Sequence, residues 1–248
     1  MEKGLLKMEK SAAVITNSLS KTYINWSGGK DSSLALYYIL QQKNHGVSLL
    51  LTSLNAVQDR VSMHGVRRDL LEAQSKSLNI PFTTIELPEE PDMATYETIL
   101  SKKIRTLKQQ GFTHTIFGDI FLEDLRKYRE DKLEAVGIKA IFPLWKIDTA
   151  QLMKEFLALG FKAIVVCVNE QYLNKSFCGR IIDEQFIKDL PEGIDVCGEN
   201  GEYHSFVFDG PIFKNPIAFT KGELVYKEYK APQNTTIKQY GFWFCDLL

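Results

Sequence analysis

The sequence predicts an α/β protein in which a parallel sheet is followed by a smaller domain of mixed α and β structure. Three observations support this prediction. Apolar, β-branched runs recur along the first part of the chain, stretches with helical periodicity separate them, and alternating β-like segments replace this pattern further on. Strands that alternate with helices favour a parallel sheet with right-handed crossovers. With 248 residues and 44% hydrophobic content, the chain is long enough to form one large or two modest domains.

The predicted strands and helices follow one another in a regular order. The strand-like runs lie at residues 22–26, 47–54, 81–85, 113–117 and 139–142. Helical spacing of apolar residues begins after Asp31 and again after Gly65. The same alternation predicts a helix at residues 149–159 and a strand at residues 161–168.

The pattern changes in the last part of the chain. Residues 197–213 and 222–244 contain glycine-bounded, alternating segments with little helical pattern. We therefore predict an N-terminal extension at residues 1–21, an α/β domain at residues 22–145 and a smaller α+β domain at residues 146–248.

Charge and composition argue against several classes of protein. The 30 Lys and Arg residues balance 31 Asp and Glu residues, so the chain lacks the global positive field of many nucleic-acid binders. In the first twenty residues the longest apolar run, residues 12–15, is too short for a signal-peptide core. The longest apolar run of the chain, residues 163–168, is far below the roughly 18 residues of a membrane span. We therefore expect a cytoplasmic protein with no membrane partner.

The cysteines give no sign of a metal or redox motif. Cys167, Cys178, Cys197 and Cys245 lie far apart and form no CxxC pair, which argues against a zinc knuckle or a thioredoxin-type site. We expect buried, reduced thiols.

A glycine-rich loop joins the first predicted strand to the first predicted helix, in the stretch INWSGGKDSSLALYYIL at residues 24–40. Ser27, Gly28 and Gly29 can bring backbone N–H groups close to an anion, because glycine has no Cβ to block the approach. The helix that begins near Asp31 points its positive dipole end at the same anion. The loop therefore predicts a phosphate site.

The side chains that follow the glycines support this prediction. Lys30 adds a full positive charge, and the hydroxyls of Ser32 and Ser33 can donate further hydrogen bonds. Asp31 is unexpected beside a phosphate. Its carboxylate is repulsive there unless a cation such as Mg²⁺ lies between them, or unless it caps the helix.

The loop does not match the best-known phosphate-binding templates. The GxxxxGK[ST] template needs a glycine where Ile24 stands and a serine or threonine where Asp31 stands. A GxGxxG fingerprint is also absent from this stretch.

The sequence SGGKDS at residues 27–32 resembles the signature of the PP-loop ATP pyrophosphatases. In that superfamily the loop holds the β and γ phosphates of ATP, which leave together as pyrophosphate while AMP is transferred to an oxygen of the substrate. The resemblance implies that ATP and Mg²⁺ bind here, with Lys30 stabilising the leaving pyrophosphate and Asp31 contacting the metal.

Three further segments resemble the diphthine-ammonia ligase family. They are VSMHGVRRDLL at residues 61–71, FGDIFLEDLRKYREDKLEAVGIKAIFPL at residues 117–144 and CGENGEYHSFVFDGPIF at residues 197–213. Together with the loop they extend the resemblance over residues 22–225. Family members amidate a carboxylate of a modified histidine on a translation elongation factor. They combine an N-terminal nucleotide-binding domain of the HUP type with a smaller C-terminal domain that carries a GEGGEYE-like motif.

The chain departs from that motif at two positions. Asn200 replaces its middle glycine, and His204 replaces its last glutamate. This version is similar to a bacterial branch described as related to the ligase. The resemblance therefore implies an ATP-dependent, AMP-forming amide ligase whose partners are ammonia or another amine and a carboxylate acceptor that the sequence does not identify.

Several residues of the first domain are candidates for the same site. His64 follows the second predicted strand, near the edge where ligands bind, and is either a phosphate or adenine contact or a residue of a helix-entry loop. Gly118 and Asp119 end the fourth predicted strand. The glycine allows a nucleotide to approach, and the aspartate can orient metal or substrate, although a strand-to-helix turn also explains both. Arg126 and Arg129 stand at i, i+3 spacing and form either a cationic clamp or a solvated helix face.

The second domain offers a candidate ammonia site. Two carboxylates, Glu199 and Glu202, can hold an ammonium ion and release ammonia as one proton is lost, and the resemblance assigns them this function. His204 can act as a base in place of the missing glutamate. A metal site that includes Cys197 is the alternative, although ligands so close together on a glycine-rich turn suit zinc poorly.

Arg180 and Asp183, in CGRIIDEQF, also match a family segment. The resemblance implies that they shape the acceptor pocket, whereas a helix N-cap explains Asp183 equally well.

Two other functions stay open at this point. PP-loop relatives modify tRNA, although the cysteine pair that thiolation requires is missing and the balanced charge gives no support for RNA binding. A module that senses ATP without turnover would use the same loop. The sequence also leaves the oligomeric state open, a homodimer included.

Overall fold

A curled, largely parallel sheet forms the first part of the fold. The structure is a computed structural model and describes residues 19–230 and 239–248. The strands of this sheet are Ser20–Asn25 (β1), His45–Asn55 (β2), Arg60–Val61 (β3), Phe82–Leu87 (β4), His114–Ile116 (β5) and Lys139–Ile141 (β6). The five predicted strands are therefore confirmed, and the two-residue strand β3 is an addition.

The strand order places the glycine-rich loop at the centre of this sheet. β1 pairs in parallel with β2 on one side and β5 on the other, β4 extends the sheet beyond β2, and β6 extends it beyond β5. Only β3 runs antiparallel, against the end of β2. The chain thus winds outward from β1 in both directions. Ligands of open α/β sheets bind at such a switch point, beyond the carboxyl ends of the strands.

Helices alternate with these strands and cover both faces of the sheet. They are Lys30–Gln42 (α1), Arg68–Leu78 (α2), Met93–Gln109 (α3) and Glu123–Glu134 (α4). Two helices follow β6, Thr149–Ala158 (α5) and, further along the chain, Glu184–Asp189 (α6). Acidic side chains cap several of them, as when Asp92 accepts a hydrogen bond from the Thr95 amide and Asp148 accepts one from the Gln151 amide. None of the helices in the described part of the chain is both long and apolar enough to cross a membrane.

A second, smaller sheet follows. Its strands are Lys162–Asn169 (β7), Tyr203–Asp209 (β8), Lys221–Lys230 (β9) and Gln239–Leu247 (β10). They pair antiparallel in the order β8-β7-β10-β9. The prediction of a second region rich in β structure is confirmed. The predicted boundary at residue 146 stays a prediction, and so does the extension at residues 1–21, of which only residues 19–21 are described.

Two apolar clusters form the core. Successive residues of β1 point to opposite faces of the sheet, so that Ile24 belongs to a cluster shared with the second sheet while Tyr23 belongs to a cluster under α3 and α4. The shared cluster contains large, almost fully buried side chains from both sheets, among them Trp26, Phe156 and Phe206. All four cysteines are free and buried, as predicted.

A partly buried ion pair network also joins the two sheets. Asp246 in β10 accepts two hydrogen bonds from Arg67, at 3.1 and 2.6 Å, and one from Nη1 of Arg60 at 2.8 Å. The same Nη1 of Arg60 donates to the carbonyl of Gly65. These hydrogen bonds hold the pKa of Asp246 well below its usual value, although partial burial opposes the change.

We expect Asp246→Asn to lower the free energy of unfolding by about 1–3 kcal/mol at pH 7, because hydrogen bonds from two guanidinium groups lose their charged acceptor. The folded-state pKa of Asp246 is depressed, so its contribution is present above the unfolded-state pKa of about 4 and is lost as pH falls below it. Urea unfolding from pH 7 to pH 3 should therefore show the difference between variant and wild type shrinking.

The exposed pair of Lys127 and Asp131 on α4 provides the control. Asp131→Asn should change stability by well under about 1 kcal/mol, as exposed pairs do. Equal effects of the two variants, or a difference that widens in acid, would show that Asp246 does not stabilise the contact between the sheets.

Candidate active site

A cleft of about 480 Å³ opens beyond the carboxyl end of β1. Its walls come from the loop after β1, the loop after β5, the segment around residue 64 and the segment at residues 197–205. The predicted site residues that line it are Ser27, Lys30, Asp31, Ser32, His64, Gly118, Asp119, Arg129, Glu199 and His204. Residues that are far apart in the sequence, from both sheets, therefore meet in one cleft.

The glycine-rich loop turns sharply into α1. Gly28 adopts a left-handed backbone with φ 77°, where a side chain would be strained and would also contact Gln74 and Leu71. Gly29 is the N-cap of α1, and its amide donates to Oγ of Ser27 at 3.2 Å. The loop is thus held in one conformation at the start of the helix.

The first turn of α1 has free amides for an anion. In the described part of the chain the N–H groups of Asp31 and Ser32 donate to no protein acceptor, as is normal at a helix start. The hydroxyls of Ser32 and Ser33 instead donate to the carbonyl of Gly29, at 3.0 and 2.9 Å. Ser33 is fully buried and does not line the cleft, so its hydroxyl stabilises the helix start.

Lys30 is a buried cation at the base of the cleft. Its residue is only 4% exposed, and Nζ lies 2.6 Å from Oδ1 of Asp31. Burial by itself would lower the pKa of Lys30, but Asp31 and other nearby acidic groups, Glu199 among them, outweigh burial and raise it. The ammonium group is therefore charged across the physiological pH range.

Gly118 allows the loop after β5 to pack directly against the start of α1. A Cβ at this position would lie 2.9 Å from the carbonyl carbon of Asp31 and 3.0 Å from the amide nitrogen of Ser32. These contacts are with backbone atoms, which cannot move aside without displacing the helix start. The absence of a side chain at Gly118 is thus required by the site's geometry.

Asp119 lies next to Gly118 and is largely buried. Burial raises its pKa, Arg129 opposes the change, and Asp31 adds to it. Oδ2 of Asp119 lies 2.9 Å from Nη1 of Arg129, but no hydrogen bond satisfies this oxygen within the described residues. The carboxylate thus keeps an oxygen with unused acceptor capacity.

The two arginines proposed as a clamp occupy different surroundings. Arg129 lines the cleft, pairs with Asp119 and lies 4.3 Å from the ring centre of Phe117. Arg126 is outside the cleft lining, where it pairs with Glu130 at 2.9 Å and packs over the ring of Trp145. The structure thus brings only Arg129 to the cleft.

His64 and His204 form a stacked pair in the wall of the cleft. Their ring centres are 4.4 Å apart, with an interplanar angle of 26°. Burial lowers the pKa of His64 to about 4, and Lys30 contributes to this. Burial, His64 and Lys30 likewise lower the pKa of His204. Both rings are therefore neutral at pH 7, and Nδ1 of His64 has no hydrogen-bond partner within the described residues.

Glu199 lines the same cleft as the glycine-rich loop. Burial raises its pKa to about 8, and Asp31, Asp119 and Asp195 act in the same direction while Lys30 opposes them. With a pKa of about 8 this carboxyl is mostly protonated at pH 7 and becomes ionised as the pH rises. A group of this kind can accept or release a proton during a reaction.

Glu202 has a different environment from Glu199. It is 1% exposed and accepts hydrogen bonds from the amide of Asp195, the amide of Asn200 and the side chain of Asn200, at 2.9–3.1 Å. It is not among the residues that line the cleft. Glu202 thus organises the turn that presents Glu199.

Arg180 and Asp183 lie outside the cleft lining. Arg180 pairs with Asp189 at 2.7 Å, and Asp183 is the N-cap of α6, accepting a hydrogen bond from the Phe186 amide. Both side chains have local structural partners, and the structure does not bring them to the other site residues.

No group of three or more His, Cys, Asp and Glu side chains in the described ranges is arranged to hold a metal. Cys197 instead donates from Sγ to the carbonyl of Thr149 at 3.3 Å, and burial raises its pKa to about 12. Within the described ranges, residues 197–204 thus do not form the arrangement that the alternative zinc site requires.

The sequence did not predict an apolar compartment of the same cleft, which extends beneath α3 and α4. Its side chains include Tyr23, Leu51 and Ile85 from three strands, Ile104 from α3 and Phe117 just after β5. Each is an ordinary core residue in the sequence, so no local pattern distinguishes them. Only the fold places them beside the glycine-rich loop.

Comparisons with known proteins agree with this arrangement. Residues 20–140 match the family model described as diphthamide synthase N-terminal domain, and residues 148–240 match the diphthamide synthase C-terminal domain. The chain is 27% identical over 135 residues to a diphthine–ammonia ligase of Danio rerio, covering 51% of this chain and 52% of the relative. It is 26% identical over 132 residues to that of Homo sapiens, covering 51% and 49%.

The relative from Schizosaccharomyces pombe, also a diphthine–ammonia ligase, is 27% identical over 163 residues, which cover 64% of this chain and 26% of the relative. The chain thus spans about half the length, or less, of the curated relatives it matches. The two family models match consecutive segments that together contain the whole cleft. The chain therefore belongs to the diphthamide synthase family.

Proposed function

We propose that the protein is an ATP-dependent ligase that forms AMP and pyrophosphate, adenylylates an acceptor carboxylate and joins it to ammonia or another amine. The observation that carries this proposal is the meeting of the phosphate loop and Glu199 in one cleft. The relatives named diphthine–ammonia ligase support the same reaction.

The phosphate loop suits the pyrophosphate part of ATP. The free amides of Asp31 and Ser32 and the charge of Lys30 converge at the start of α1. Charge builds up on the leaving pyrophosphate as a carboxylate oxygen of the acceptor attacks the α phosphorus. Donors fixed in advance stabilise this charge without reorganisation, which is the usual source of such rate enhancements.

Two carboxylates suit the Mg²⁺ that accompanies ATP. Oδ2 of Asp119 accepts no hydrogen bond, although it pairs with Arg129 at 2.9 Å, and Asp31 lies close enough to raise the pKa of Asp119. Mg²⁺ is commonly held by one or two carboxylates together with substrate phosphates, so a third protein ligand is not required. When bound, the ion would neutralise phosphate charge, and Asp31 and Asp119 would hold it.

The apolar compartment suits the adenine ring. Its walls combine aromatic and aliphatic side chains beside the phosphate loop, as is usual in nucleotide clefts. Arg129 at the border between this compartment and the loop is placed to contact a phosphate or the acceptor carboxylate.

Glu199 suits the amination step. With a pKa near neutrality, its carboxylate can take a proton from an ammonium ion and leave ammonia as the nucleophile. Ammonia then attacks the carbonyl carbon of the acyl adenylate, the amide bond forms and AMP leaves. His204 is neutral, and burial, His64 and the Lys30 charge lower its pKa, so it can accept a hydrogen bond in this step but is a weaker base than Glu199. Glu202 supports this step by holding the turn.

The relatives' name includes diphthine, which makes a diphthine-bearing protein the first acceptor to test. Asn200 and His204 depart from the family motif, and similarity to a bacterial branch points instead to a different carboxylate, on a small molecule or a protein. The two alternatives, tRNA modification and ATP sensing, have less support. Thiolation of tRNA requires a cysteine pair, which this chain lacks. Neither alternative explains why a carboxyl group with a pKa near neutrality lies in the same cleft as the glycine-rich loop.

Lys30→Met should reduce the formation of AMP and pyrophosphate at least about 100-fold, because a fixed charge on the leaving group is lost. The assay uses α-labelled ATP, Mg²⁺ and ammonium, with diphthine-bearing elongation factor in one reaction and a small-molecule carboxylate fraction in another. Lys127→Met, at an exposed lysine of α4, is the matched control and should retain full activity. Wild-type protein that binds ATP but forms pyrophosphate with neither acceptor would contradict the proposed reaction.

Glu199→Gln and Glu202→Gln should have different consequences. Glu199→Gln should abolish ammonia-dependent amide formation while the melting temperature stays close to that of wild type. Glu202→Gln should lower stability by about 1–3 kcal/mol, because its donors lose a charged acceptor.

Calorimetric melting and an ammonium titration of amide formation separate these two effects. A Glu202→Gln variant with wild-type melting and no amide formation would reverse the two assignments. It would place Glu202, and not Glu199, in the ammonia step.

A further inference from the structure

Strand β8 of the second sheet runs directly against the phosphate loop. The amide of Val207 donates to the carbonyl of Gly28 at 2.8 Å, and Nε2 of Gln74 donates to the same carbonyl at 3.0 Å. The loop's first glycine is therefore held by the second sheet and by α2 at the same atom. A displacement of β8 would displace the loop.

Gln74 makes this arrangement rigid. Its side chain is fully buried, Oε1 accepts from the indole of Trp26 at 2.8 Å, and Nε2 also donates to the carbonyl of Val207. Every polar atom of the amide is used, so the side chain fixes the end of β1, the loop and β8 together.

Ser205 lies on β8 where this strand faces the cleft. Its residue is 3% exposed and lines the cleft, and its Oγ accepts a hydrogen bond from the amide of Lys30 at 3.1 Å. The Lys30 amide is one of the helix-start donors that have no partner inside the helix. Ser205 therefore accepts the hydrogen bond of an amide that would otherwise be free to bind a phosphate.

The proton of the Ser205 hydroxyl has no acceptor in the described part of the chain. A serine hydroxyl has one donor as well as acceptor capacity, and a buried donor without an acceptor is costly. Because the residue borders the cleft, the missing acceptor is best supplied by a ligand. The free amides of Asp31 and Ser32 belong to the same helix start, where an anion is favoured.

We propose that Ser205 is a binding residue for the polyphosphate group of the nucleotide, to which its hydroxyl donates a hydrogen bond. β8 is then part of the phosphate site, and the second sheet serves nucleotide binding as well as the acceptor side of the reaction. The inference rests on the proposed function only in taking ATP as the ligand. It requires that the protein bind ATP, but it does not require catalytic turnover.

The contact distinguishes nucleotides by their phosphates. ATP and inorganic pyrophosphate place phosphate oxygens at the start of α1, whereas AMP carries only the α phosphate. The hydroxyl should therefore matter for ATP and pyrophosphate and should matter little for AMP. A residue that served only to fold the loop would affect all three ligands.

The test is isothermal titration calorimetry of the full chain with ATP, pyrophosphate and AMP, each with Mg²⁺. Ser205→Ala should weaken the binding of ATP and of pyrophosphate about tenfold or more, as expected for a hydrogen bond to a charged group. Its affinity for AMP should stay within about twofold of wild type by the same argument. Ser205→Thr, which keeps the hydroxyl, should bind all three ligands nearly as wild type does.

Ser205→Cys keeps the side-chain volume with a weaker donor and should fall between the Ala and Thr variants, so it provides the comparison if Ser205→Ala does not fold. Equal affinities of wild type and Ser205→Ala for pyrophosphate would overturn the inference, and so would an equal loss for AMP. Either result leaves the proposed ligase standing. Wild-type protein that binds no ATP would instead overturn the proposed function.

Discussion

The hydrogen bond between the Val207 amide and the Gly28 carbonyl joins the two sheets at the phosphate loop, and the rest of the site depends on it. Gly28 has a left-handed backbone, so its carbonyl points away from the cleft and toward β8. Gln74 binds the same carbonyl and the carbonyl of Val207. The loop conformation that leaves the helix-start amides free is thus fixed by groups outside the loop. On the other side, the missing side chain of Gly118 lets the loop after β5 close against α1.

Burial and neighbouring charges shift the pKa values of the titratable groups in this cleft in different directions. Burial and nearby carboxylates act against each other on Lys30, and the carboxylates prevail, so its pKa is raised. The same two causes act together on Glu199, whose pKa rises to about 8. The histidine pair stays neutral because burial and the Lys30 charge both lower the pKa values. The cation that we propose for phosphate binding and the carboxyl that we propose as proton acceptor therefore line the same cleft, although neither residue type alone would indicate such a role.

Local sequence patterns predicted the features of the fold that depend on interactions between residues close together in the sequence. Hydrophobic periodicity gave the alternating strands and helices, and the SGGKDS loop located the helix start, because spacing and the lack of a Cβ act over a few residues. Partners distant in the sequence could not be predicted this way. Glu202 and Asp183 were predicted as site residues. In the structure Glu202 accepts hydrogen bonds within a turn, and Asp183 is the N-cap of α6. No local pattern distinguishes Gln74, and only the folded chain brings Gly28 and Val207 to it.

The shared core explains why the phosphate loop and the second sheet form one working unit. Trp26 at the end of β1 belongs to an apolar cluster that also contains Phe206 of β8, so separating the sheets would expose large apolar side chains as well as break hydrogen bonds. Separation would also break the hydrogen bonds from Val207 to Gly28 and from Gln74 to Val207, each with a net contribution of about 1 kcal/mol. The first sheet and its helices therefore fix only part of the loop's geometry, through Gln74 and Gly118. The second sheet supplies the rest through Val207, so the shape of the cleft depends on both sheets.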